Sequence, residues 1–484
     1  MFSLAQNYLT RGFWGDEAWT SLISQLPYKE MLKTTAADFH PPGFYTIVGL
    51  VYKILPPTEI VTRSISIIFY LLTIFMVFKL ASYVRGKQFG LMTAAVVALN
   101  PVFFRYAFEA RNYTMFGFAA TGSIYCLIRL SSVLSSQFSE SSSSVDRSVS
   151  SQTDKPKTDK LISENRKQRT DNWKMWALAF IFFTTLGIYT HYYMFFVLGA
   201  QGLYLLLFDR KIFLKMMGLY VAVGVLYLPW IPFLARQLNS VAGDYWIGGI
   251  DKRTHYEAFL RILGGENKNA IRPLIFAVSI ILLVVGLIQH VANKPEKGSG
   301  QHFEKPYLLT WLWAIVPFVL ATLPGFKIDG IQLPFRPIFF WRYLIGSSIP
   351  LAMVMVHTAQ KFPKYLMWVS VGVLIVLSFG VDVLTFTSTT YSFREAYRDK
   401  VIFNIQLSDK IVTALPSFAE VLYYRNRNNI SSDLIVLPEG LVQFSGKSLL
   451  DAYVADGKVT ISESIKGRYF ELTPGPTVEF KITN

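Results

Sequence analysis

The sequence has few charged residues and almost no cysteine. Charged residues make up only 16% of the 484 positions, whereas a soluble globular protein carries about 25%. Hydrophobic residues make up 52%, and the mean hydropathy is +0.35. This balance excludes an ordinary soluble enzyme and indicates a membrane protein. The single cysteine, Cys126, lies inside an apolar run, so an intramolecular disulfide is excluded.

Acidic residues are also scarce relative to basic ones, with 32 Asp and Glu against 47 Lys and Arg and a net charge of +15. Most of the surplus lies in short loops next to apolar runs, where basic residues mark the cytoplasmic side of a membrane protein. We therefore do not expect nucleic acid as a partner. Residues 1–15 contain no continuous apolar core, which excludes a cleavable signal peptide there.

Long apolar runs are abundant, and about ten of them approach the ~20 residues that a helix needs to cross a bilayer. They predict a mainly α-helical, polytopic transmembrane bundle. A shorter apolar run at residues 41–55 predicts a helix that lies in the membrane interface. The predicted spans are residues 60–83, 89–108, 112–131, 174–190, 192–208, 213–235, 273–292, 307–324, 341–359 and 365–388.

Basic residues recur in alternate loops, which predicts that these loops lie in the cytoplasm and the others outside it. The protein would then be a multi-pass protein of the plasma or inner membrane. Since residues 1–15 are too few to span, we expect a further transmembrane helix before Met1 or an amino terminus that inserts outward unaided. The basic loops carry Arg85 and Lys87, Arg147 through Arg169, Arg210 and Lys215, Lys294 and Lys305, and Lys361 and Lys364.

Composition also divides the chain into segments. Residues 132–172 are rich in Ser, Lys and Arg, which predicts a disordered cytoplasmic loop. It would separate a three-span module at 60–131 from the remaining helices and outer loops at 173–389. Residues 1–59 would form an extracytoplasmic catalytic loop with the interfacial helix, and residues 390–484 a separate soluble α/β domain on the same side. In that domain we expect a helix at 416–426 and strands at 401–405, 433–437 and 477–482.

Unusual polar residues gather at the predicted outer ends of the spans. Charges at membrane depth are costly and usually face a cavity or a partner, so their convergence predicts one outward-opening pocket. No metal-type spacing of His, Cys, Asp and Glu occurs, and no glycine-rich phosphate loop, so no cofactor is expected and a divalent metal has no support. The candidate site residues are Asp16, Glu17, His40, Glu109, Arg111, Tyr113, His191, Tyr192, Arg342 and Tyr343.

Each of these polar residues also has an ordinary structural interpretation. Helix caps, pairs at turns and interfacial aromatic belts are common in membrane proteins. The structural alternatives are a solvated helix cap for Asp16 and Glu17, a mutual pair for Glu109 and Arg111, an aromatic belt for His191, snorkelling for Arg342 and a buried acidic partner for Arg63.

Several short motifs, taken in order, carry a resemblance to a known family. The runs DEAW, DFHPPGFY, EIVTRSIS, ALNPVFF and FEARNYTMF resemble the polyprenyl-phosphate-sugar-dependent glycosyltransferases of the GT-C superfamily. The nearest branch is the one shared by protein O-mannosyltransferases and the lipid A aminoarabinose transferases. THYYMFF and WRYLIGSSIP resemble later landmarks, and the likeness covers roughly residues 10–130 with weaker echoes to about 355.

The resemblance implies a sugar donor on a polyprenyl phosphate, delivered at the outer leaflet. It also implies a catalytic base in the first outer loop, which corresponds to Asp16 with Glu17 beside it. Two departures stand out. Tyr113 occupies a position where the aminoarabinose branch often has aspartate, although Glu109 lies four residues earlier. The family also has a transmembrane helix before the DE loop.

The residue types suit glycosyl transfer independently. A base must take the proton of the acceptor hydroxyl, and the phosphate leaving group needs positive charge, for which arginine's planar fork is well shaped. Arg111 and Arg342 are the candidates for the phosphate. His40, His191 and Tyr192 are candidates for sugar hydroxyls or the lipid phosphate.

The sequence therefore predicts an integral-membrane glycosyltransferase that moves a mannose-like sugar from a polyprenyl-phosphate donor to an acceptor hydroxyl outside the cytoplasm. The acceptor would be a glycolipid, a polysaccharide or a protein. One alternative is a transporter or flippase for a lipid-linked glycan, although transporters usually place ionisable residues near mid-membrane. Another is an inactive glycan-binding scaffold, which would tolerate Asp16→Asn.

Overall fold

The computed structural model describes residues 7–146, 155–243, 247, 250–292, 304–325, 327–328, 331–332, 338–438 and 446–483. These residues are mainly helical, with a small sheet near the carboxyl end. The helices are α1 (Gly15–Gln25), α2 (Tyr28–Ala36), α3 (Gly43–Tyr52), α4 (Glu59–Arg85), α5 (Lys87–Ala98), α6 (Pro101–Ala107), α7 (Tyr113–Asp146), α8 (Lys155–Thr190), α9 (Met194–Phe208), α10 (Arg210–Tyr227), α11 (Ile231–Gly243), α12 (Lys252–Gly264), α13 (Arg272–Ala292), α14 (Glu304–Thr322), α15 (Ser348–Ala359), α16 (Lys364–Phe386), α17 (Phe393–Ala396), α18 (Phe418–Arg427) and α19 (Lys447–Ala455). The strands are β1 (Lys327–Ile328), β2 (Ile331–Gln332), β3 (Lys410–Ala414), β4 (Leu434–Leu437), β5 (Val459–Ile461), β6 (Gly467–Thr473) and β7 (Thr477–Thr483).

Five segments in the described part of the chain are long and apolar enough to cross a membrane: Glu59–Arg85, Tyr113–Ser135, Arg210–Ser240, Arg272–Val291 and Lys364–Phe386. Helices α5 and α6 together would make a sixth, bent by 67°. The bend falls where Pro101 starts α6 and the Asn100 side chain accepts a hydrogen bond from the Phe103 N–H at 3.0 Å. The chain is thus a multi-pass membrane protein.

The prediction of about ten spans is not confirmed. The predicted spans 192–208, 307–324 and 341–359 correspond to shorter apolar segments: α9 has 15 residues, and the apolar part of α14 is Tyr307–Thr322. At 1.5 Å per residue such a helix covers about 22 Å, less than the ~30 Å hydrocarbon core. Helix α15 has only 12 residues and buries almost all of them inside the protein. An apolar run shows that a segment avoids water, but not whether lipid or protein covers it.

The predicted disordered loop at 132–172 differs from the structure. The carboxyl end of α7 reaches Asp146, and α8 begins at Lys155 and continues to Thr190. Extending a helix that is already nucleated adds one hydrogen bond per residue, so a polar segment can continue the helix of its apolar neighbour. Residues 147–154 lie outside the described residues.

The carboxyl-terminal domain contains a five-stranded sheet in the order β5-β4-β3-β6-β7. Strands β5, β4, β3 and β6 run parallel, and β7 pairs antiparallel with β6. Strands β4 and β7 and helix α18 confirm the predictions at 433–437, 477–482 and 416–426. The strand predicted at 401–405 is wrong. A capping box formed by Ser392 and Glu395 starts α17, which continues as a π-helical turn to Val401.

This domain is not separate from the amino-terminal segment, as the sequence had suggested. Phe13, Trp19 and Leu22 belong to the same buried cluster as Phe418 and Leu450. Two tyrosines of α18 add polar contacts across the boundary. The Tyr424 hydroxyl accepts a hydrogen bond from the Phe13 N–H at 2.7 Å and donates to Glu59 at 3.0 Å, and Tyr423 donates to the Pro57 carbonyl at 2.9 Å.

Residues 15–52, expected as a loop with one interfacial helix, contain α1, α2 and α3. Acidic residues in the first turn of α1 favour its start, because a helix amino terminus carries partial positive charge. The helix ends at Gln25. This is expected, because Leu26 precedes Pro27, and the residue before a proline is disfavoured in a helix. Helix α3 buries Phe44 and Tyr45. Its predicted place in the membrane interface stays a prediction.

Candidate active site

The carboxylate of Asp16 lies at the centre of the candidate site. Its side chain is 36% exposed. Its Oδ2 atom is 3.4 Å from Nη1 of Arg342 and 3.8 Å from Nη2 of Arg111. These residues come from α1, from the 3₁₀ helix Trp341–Ser347 and from the turn between α6 and α7. The structure thus brings together the predicted base and both predicted phosphate-binding arginines.

Arg111 is linked to a second pair of polar side chains. Its Nη2 lies 3.2 Å from Nε2 of His40, whose Nδ1 lies 2.8 Å from Oδ2 of Asp38. Because a guanidinium can only donate, Nε2 of His40 accepts and its Nδ1–H donates to Asp38. Burial alone would lower the pKa of Arg111, but the Asp16 carboxylate and the neighbouring tyrosines together outweigh it, so the pKa is raised and the guanidinium stays charged.

Both arginines keep an unused donor. The Nε atoms of Arg111 and Arg342 are buried and have no hydrogen-bond partner among the residues that the structure describes. A buried donor without an acceptor is destabilising, and such groups often mark a ligand site. The Arg342 guanidinium also lies 4.9 Å from the ring centre of Phe340 and 5.7 Å from that of Trp14, which fixes its orientation by cation–π contact.

An apolar cavity of about 250 Å³ adjoins this cluster. Its walls are mainly aromatic, and two histidines, three tyrosines and one glutamine are the lining residues with polar groups. Aromatic faces with a few polar groups are typical of small-molecule sites. The lining residues are Phe39, His40, Pro41, His191, Tyr192, Tyr193, Phe195, Phe196, Leu234, Gln237, Leu238, Ile338 and Tyr343.

His191 is a neutral member of the cavity wall. Burial, with smaller effects of the nearby His40 and Arg111, lowers its pKa to about 3. Its ring stacks on Phe116 at 5.1 Å and meets Tyr343 edge to face at 5.2 Å. Its Nδ1 accepts the Tyr193 N–H at 3.2 Å, which leaves the proton on Nε2. His191 therefore offers one hydrogen-bond donor and no charge.

Two predicted tyrosines have mainly packing roles here. Tyr113 is almost fully buried, with its ring 4.7 Å from that of Tyr106. Tyr192 lines the cavity, but its hydroxyl donates to Oε1 of Gln237 and accepts from Nε1 of Trp230. Both hydroxyl functions of Tyr192 are thus engaged within the protein.

Glu17, the second candidate base, is not in the exposed cluster. Its side chain is fully buried, and Arg63 binds both of its oxygens, at 2.8 Å and 2.6 Å. The Ala110 N–H donates to it at 2.9 Å. Burial alone would raise the pKa of Glu17, but Arg63 outweighs it and the pKa is lowered. Both oxygens are engaged within the protein, and a catalytic role for Glu17 stays a prediction. The structural role expected of Arg63 is confirmed.

Glu109 also belongs to a buried group rather than to the cavity. Its Oε1 accepts the Tyr8 hydroxyl at 2.6 Å and lies 3.3 Å from Nε of Arg105 and 3.6 Å from Arg11. Its contact with Arg111 is a backbone hydrogen bond, in which the Arg111 N–H donates to the Glu109 carbonyl at 2.7 Å. Glu109 therefore stabilises the turn that carries Arg111 and does not itself reach Asp16.

Sequence reasoning missed two acidic residues near the site. Asp38 orients His40, and its position two residues earlier in the DFH run was an available signal. Glu420 on α18 lies against Gly15, the residue before Asp16. No local signal pointed to Glu420, because it reaches the site only through the docking of α18 on α1. Within the described ranges, no group of three or more His, Cys, Asp or Glu could hold a metal ion.

Solved structures of two other proteins share this arrangement of helices. ArnT from Cupriavidus metallidurans in the apo state matches with a TM-score of 0.59 at 12% identity, over 96% of this chain and 90% of that one. The same protein bound to undecaprenyl phosphate matches at 0.58 and 11%, over 96% and 89%. The chain has the fold of ArnT. The apo oligosaccharyltransferase of Archaeoglobus fulgidus matches at 0.50 and 10%, over 100% of this chain and 72% of that one.

This result confirms the GT-C resemblance inferred from the short motifs. At these identities the likeness concerns the fold. No protein-family model matches the chain, and no curated protein sequence does.

Proposed function

We propose that this GT-C chain is a membrane glycosyltransferase that moves a sugar, most simply a mannose-like hexose, from a polyprenyl-phosphate donor to an acceptor hydroxyl outside the cytoplasm. The observation that carries the proposal is Oδ2 of Asp16 at 3.4 Å and 3.8 Å from two arginines beside an aromatic cavity. The shared fold with ArnT, which has been solved with undecaprenyl phosphate, supports the donor class.

The two arginines would bind the donor phosphate. Their unpartnered Nε–H groups and their forked Nη groups offer donors in the geometry that phosphate oxygens accept. As the bond between the anomeric carbon and the phosphate oxygen breaks, negative charge grows on the phosphate. Two fixed cations beside it stabilise that charge in the transition state.

Asp16 would act as the general base. Its half-exposed carboxylate takes the proton from the acceptor hydroxyl while the acceptor oxygen bonds to the anomeric carbon. The electron pair of the broken bond leaves with the phosphate, and the proton passes from Asp16 to solvent. No protein acid is required, since the lipid phosphate is already a good leaving group.

The aromatic cavity would hold the sugar or the first isoprene unit. The rings of His191 and Tyr343 stand edge to face at 5.2 Å, and the neutral His191 keeps an Nε2–H for a sugar oxygen. His40 is tied to Arg111, so it would couple sugar binding to the phosphate site. The acceptor would be a glycolipid, a polysaccharide or a protein, reached from the outer face of the plasma or inner membrane.

The experiment is a transfer assay with the purified full chain in lipid nanodiscs. Polyprenyl-phosphate sugars with a labelled sugar are offered with envelope glycolipid, polysaccharide and protein fractions. We expect label to move to an acceptor in the wild type and not in Asp16→Asn. Asp399→Asn is a matched control, because Asp399 also pairs with an arginine but lies exposed in the carboxyl-terminal domain.

Two results would contradict the proposal. Movement of an intact lipid-linked sugar across sealed vesicles without chemical transfer would indicate a transporter. Equal transfer by wild type and Asp16→Asn would remove the base from the mechanism.

A further inference from the structure

The carboxyl group of Glu420 is a second acid beside Asp16 that the steps above do not use. Its Oε1 would lie 3.5 Å from a Cβ atom placed on Gly15. Its Oε2 is buried and has no hydrogen-bond partner within the described part of the chain. A buried carboxylate oxygen without a partner is costly, so its position calls for a reason.

The first turn of α1 has no cap of its own. The helix begins at Gly15, and the preceding Trp14 makes no side-chain capping hydrogen bond. The first N–H groups of a helix have no partner within it, and the helix dipole adds partial positive charge there. Glu420 supplies a carboxylate at this end, where the Gly15 N–H stabilises its ionised form.

Helix α18 holds Glu420 firmly against α1. One turn further along α18, the Tyr424 hydroxyl accepts the Phe13 N–H at 2.7 Å. The ring of Tyr423 lies 4.8 Å from that of Phe13. The apolar faces of α1 and α18 are parts of one buried cluster. The carboxyl group of Glu420 therefore keeps a fixed place relative to the first turn of α1.

We propose that ionised Glu420 is a positioning residue that caps α1 and so holds Asp16 against Arg111 and Arg342. The inference rests on the proposed glycosyltransferase function, because Glu420 would act through Asp16. Hydrogen bonds to an ionised acceptor are about twice as strong as those to a neutral one. When Glu420 takes up a proton, the cap weakens and the first turn of α1 loosens.

The ionisation of Glu420 falls within the working range of an enzyme. Burial has the largest effect on the pKa of Glu420 and raises it, and the Asp16 carboxylate raises it further. Hydrogen bonds from the N–H groups of Glu420 itself and of Gly15 lower it. Together these effects raise the pKa to about 7. The other charged groups on elements that pack against α18 have partners elsewhere. On α1, Glu17 is paired with Arg63, and on α17, Arg394 is paired with Glu395. On β3, Lys410 donates to the Lys466 carbonyl.

The test is a pH profile of turnover for wild type and Glu420→Gln. Between pH 6 and pH 8 the ionised fraction of a group with a pKa near 7 rises from about one tenth to about nine tenths. We expect wild-type kcat to rise about tenfold over this interval, following that fraction. Glu420→Gln should stay flat at the low level with an unchanged donor KM, and Glu420→Asp should recover part of the rise. Glu479→Gln, an exposed glutamate on β7, is the matched control.

Each outcome decides the inference. A Glu420→Gln enzyme that follows the wild-type pH profile overturns it, whether or not the variant melts at a different temperature. If Asp16→Asn loses turnover while Glu420→Gln follows the wild-type profile, only the inference about Glu420 fails. If Asp16→Asn keeps full turnover, the proposed base fails, and a flat Glu420→Gln profile then overturns the inference too, because Glu420 does not act through Asp16.

If no donor supports transfer, the proposed function fails and thermal stability still tests Glu420. Burying the ionised carboxylate costs more than its hydrogen bonds to backbone N–H groups return, so the pKa is raised in the folded state even though the ionised form holds the first turn of α1 more tightly. Stability is therefore full below the unfolded pKa and is lost as the pH rises through about 7. Glu420→Gln should then melt above wild type at pH 8 and close to it at pH 5. The same difference at both pH values would overturn the inference.

Discussion

Two neighbouring carboxylates, Asp16 and Glu17, occupy opposite electrostatic settings. Glu17 is fully buried and tightly bound, with Arg63 at 2.6 Å and 2.8 Å and a backbone N–H completing its shell. Asp16 is 36% exposed, and its arginines stand at 3.4 Å and 3.8 Å with donors left over. A saturated ion pair stabilises structure, whereas a loose one with spare donors has room for a ligand. One position along α1 separates the two roles.

The largest expected effect is on turnover in Asp16→Asn. The substitution keeps the shape of the side chain and removes the base, so sugar transfer should fall by about 10²–10⁴-fold. The melting temperature should change little, because the side chain is partly exposed and its ion pairs are long. Turnover and thermal melting are measured on the same preparation. Near-normal turnover would place the base elsewhere.

The second-largest expected effect is a loss of stability in Glu17→Gln. Removing the charge leaves Arg63 buried without its counter-ion, which costs about 3–5 kcal/mol. Thermal melting in nanodiscs measures the loss, and the double variant Glu17→Leu with Arg63→Met should recover part of it. If Glu17→Gln melts like wild type but loses turnover, the two carboxylates have the reverse roles.

A smaller effect is expected on donor use in Arg342→Ala. Loss of one of two cations at the phosphate should lower kcat/KM for the donor by about 10²-fold. Arg342→Lys should recover only part, because lysine lacks the fork. Steady-state kinetics with varied donor concentration separate this from an effect on the acceptor. Unchanged donor kinetics in a folded variant would assign Arg342 to structure.

The smallest effect tests the contact between the two ends of the chain. Tyr424→Phe removes the acceptor of the Phe13 N–H and a donor to Glu59, so we expect a loss of about 1–2 kcal/mol in stability. Tyr391→Phe, at an exposed ring, is the control. Equal melting of the two variants would show that the buried apolar cluster alone holds the ends together.

These contrasts also show which site residues could be predicted from the sequence. Asp16, Arg111 and Arg342 were predictable, because each is a costly polar residue next to an apolar run on the same predicted side. The distinction between Asp16 and Glu17 was not, since adjacent helix positions point in different directions and only the packed partner decides which one is buried. Glu420 was out of reach for a related reason: its helix shows an ordinary pattern, and its role arises from what α18 docks against.

The fold shows the same limit. Long apolar runs predicted α4, α13 and α16 well, because a continuous run of that length has few alternatives. The same signal overestimated α15, whose apolar residues face other helices. In the carboxyl-terminal domain, β3 and β6 were not predicted. A strand was wrongly predicted at the β-prone run 401–405, because a capping box before it favours a helix.

The contact between Phe13 and Tyr424 has a consequence for the order in which the molecule is made. Residues near the start of the chain find their partners only in a domain synthesised almost last. Until the ribosome has released α18 and the carboxyl-terminal domain has folded, α1 lacks the surface on which it packs. We therefore expect the transmembrane helices to be inserted before α1 is packed in its final place. Biogenesis itself would keep the nascent protein inactive until the whole chain is in place.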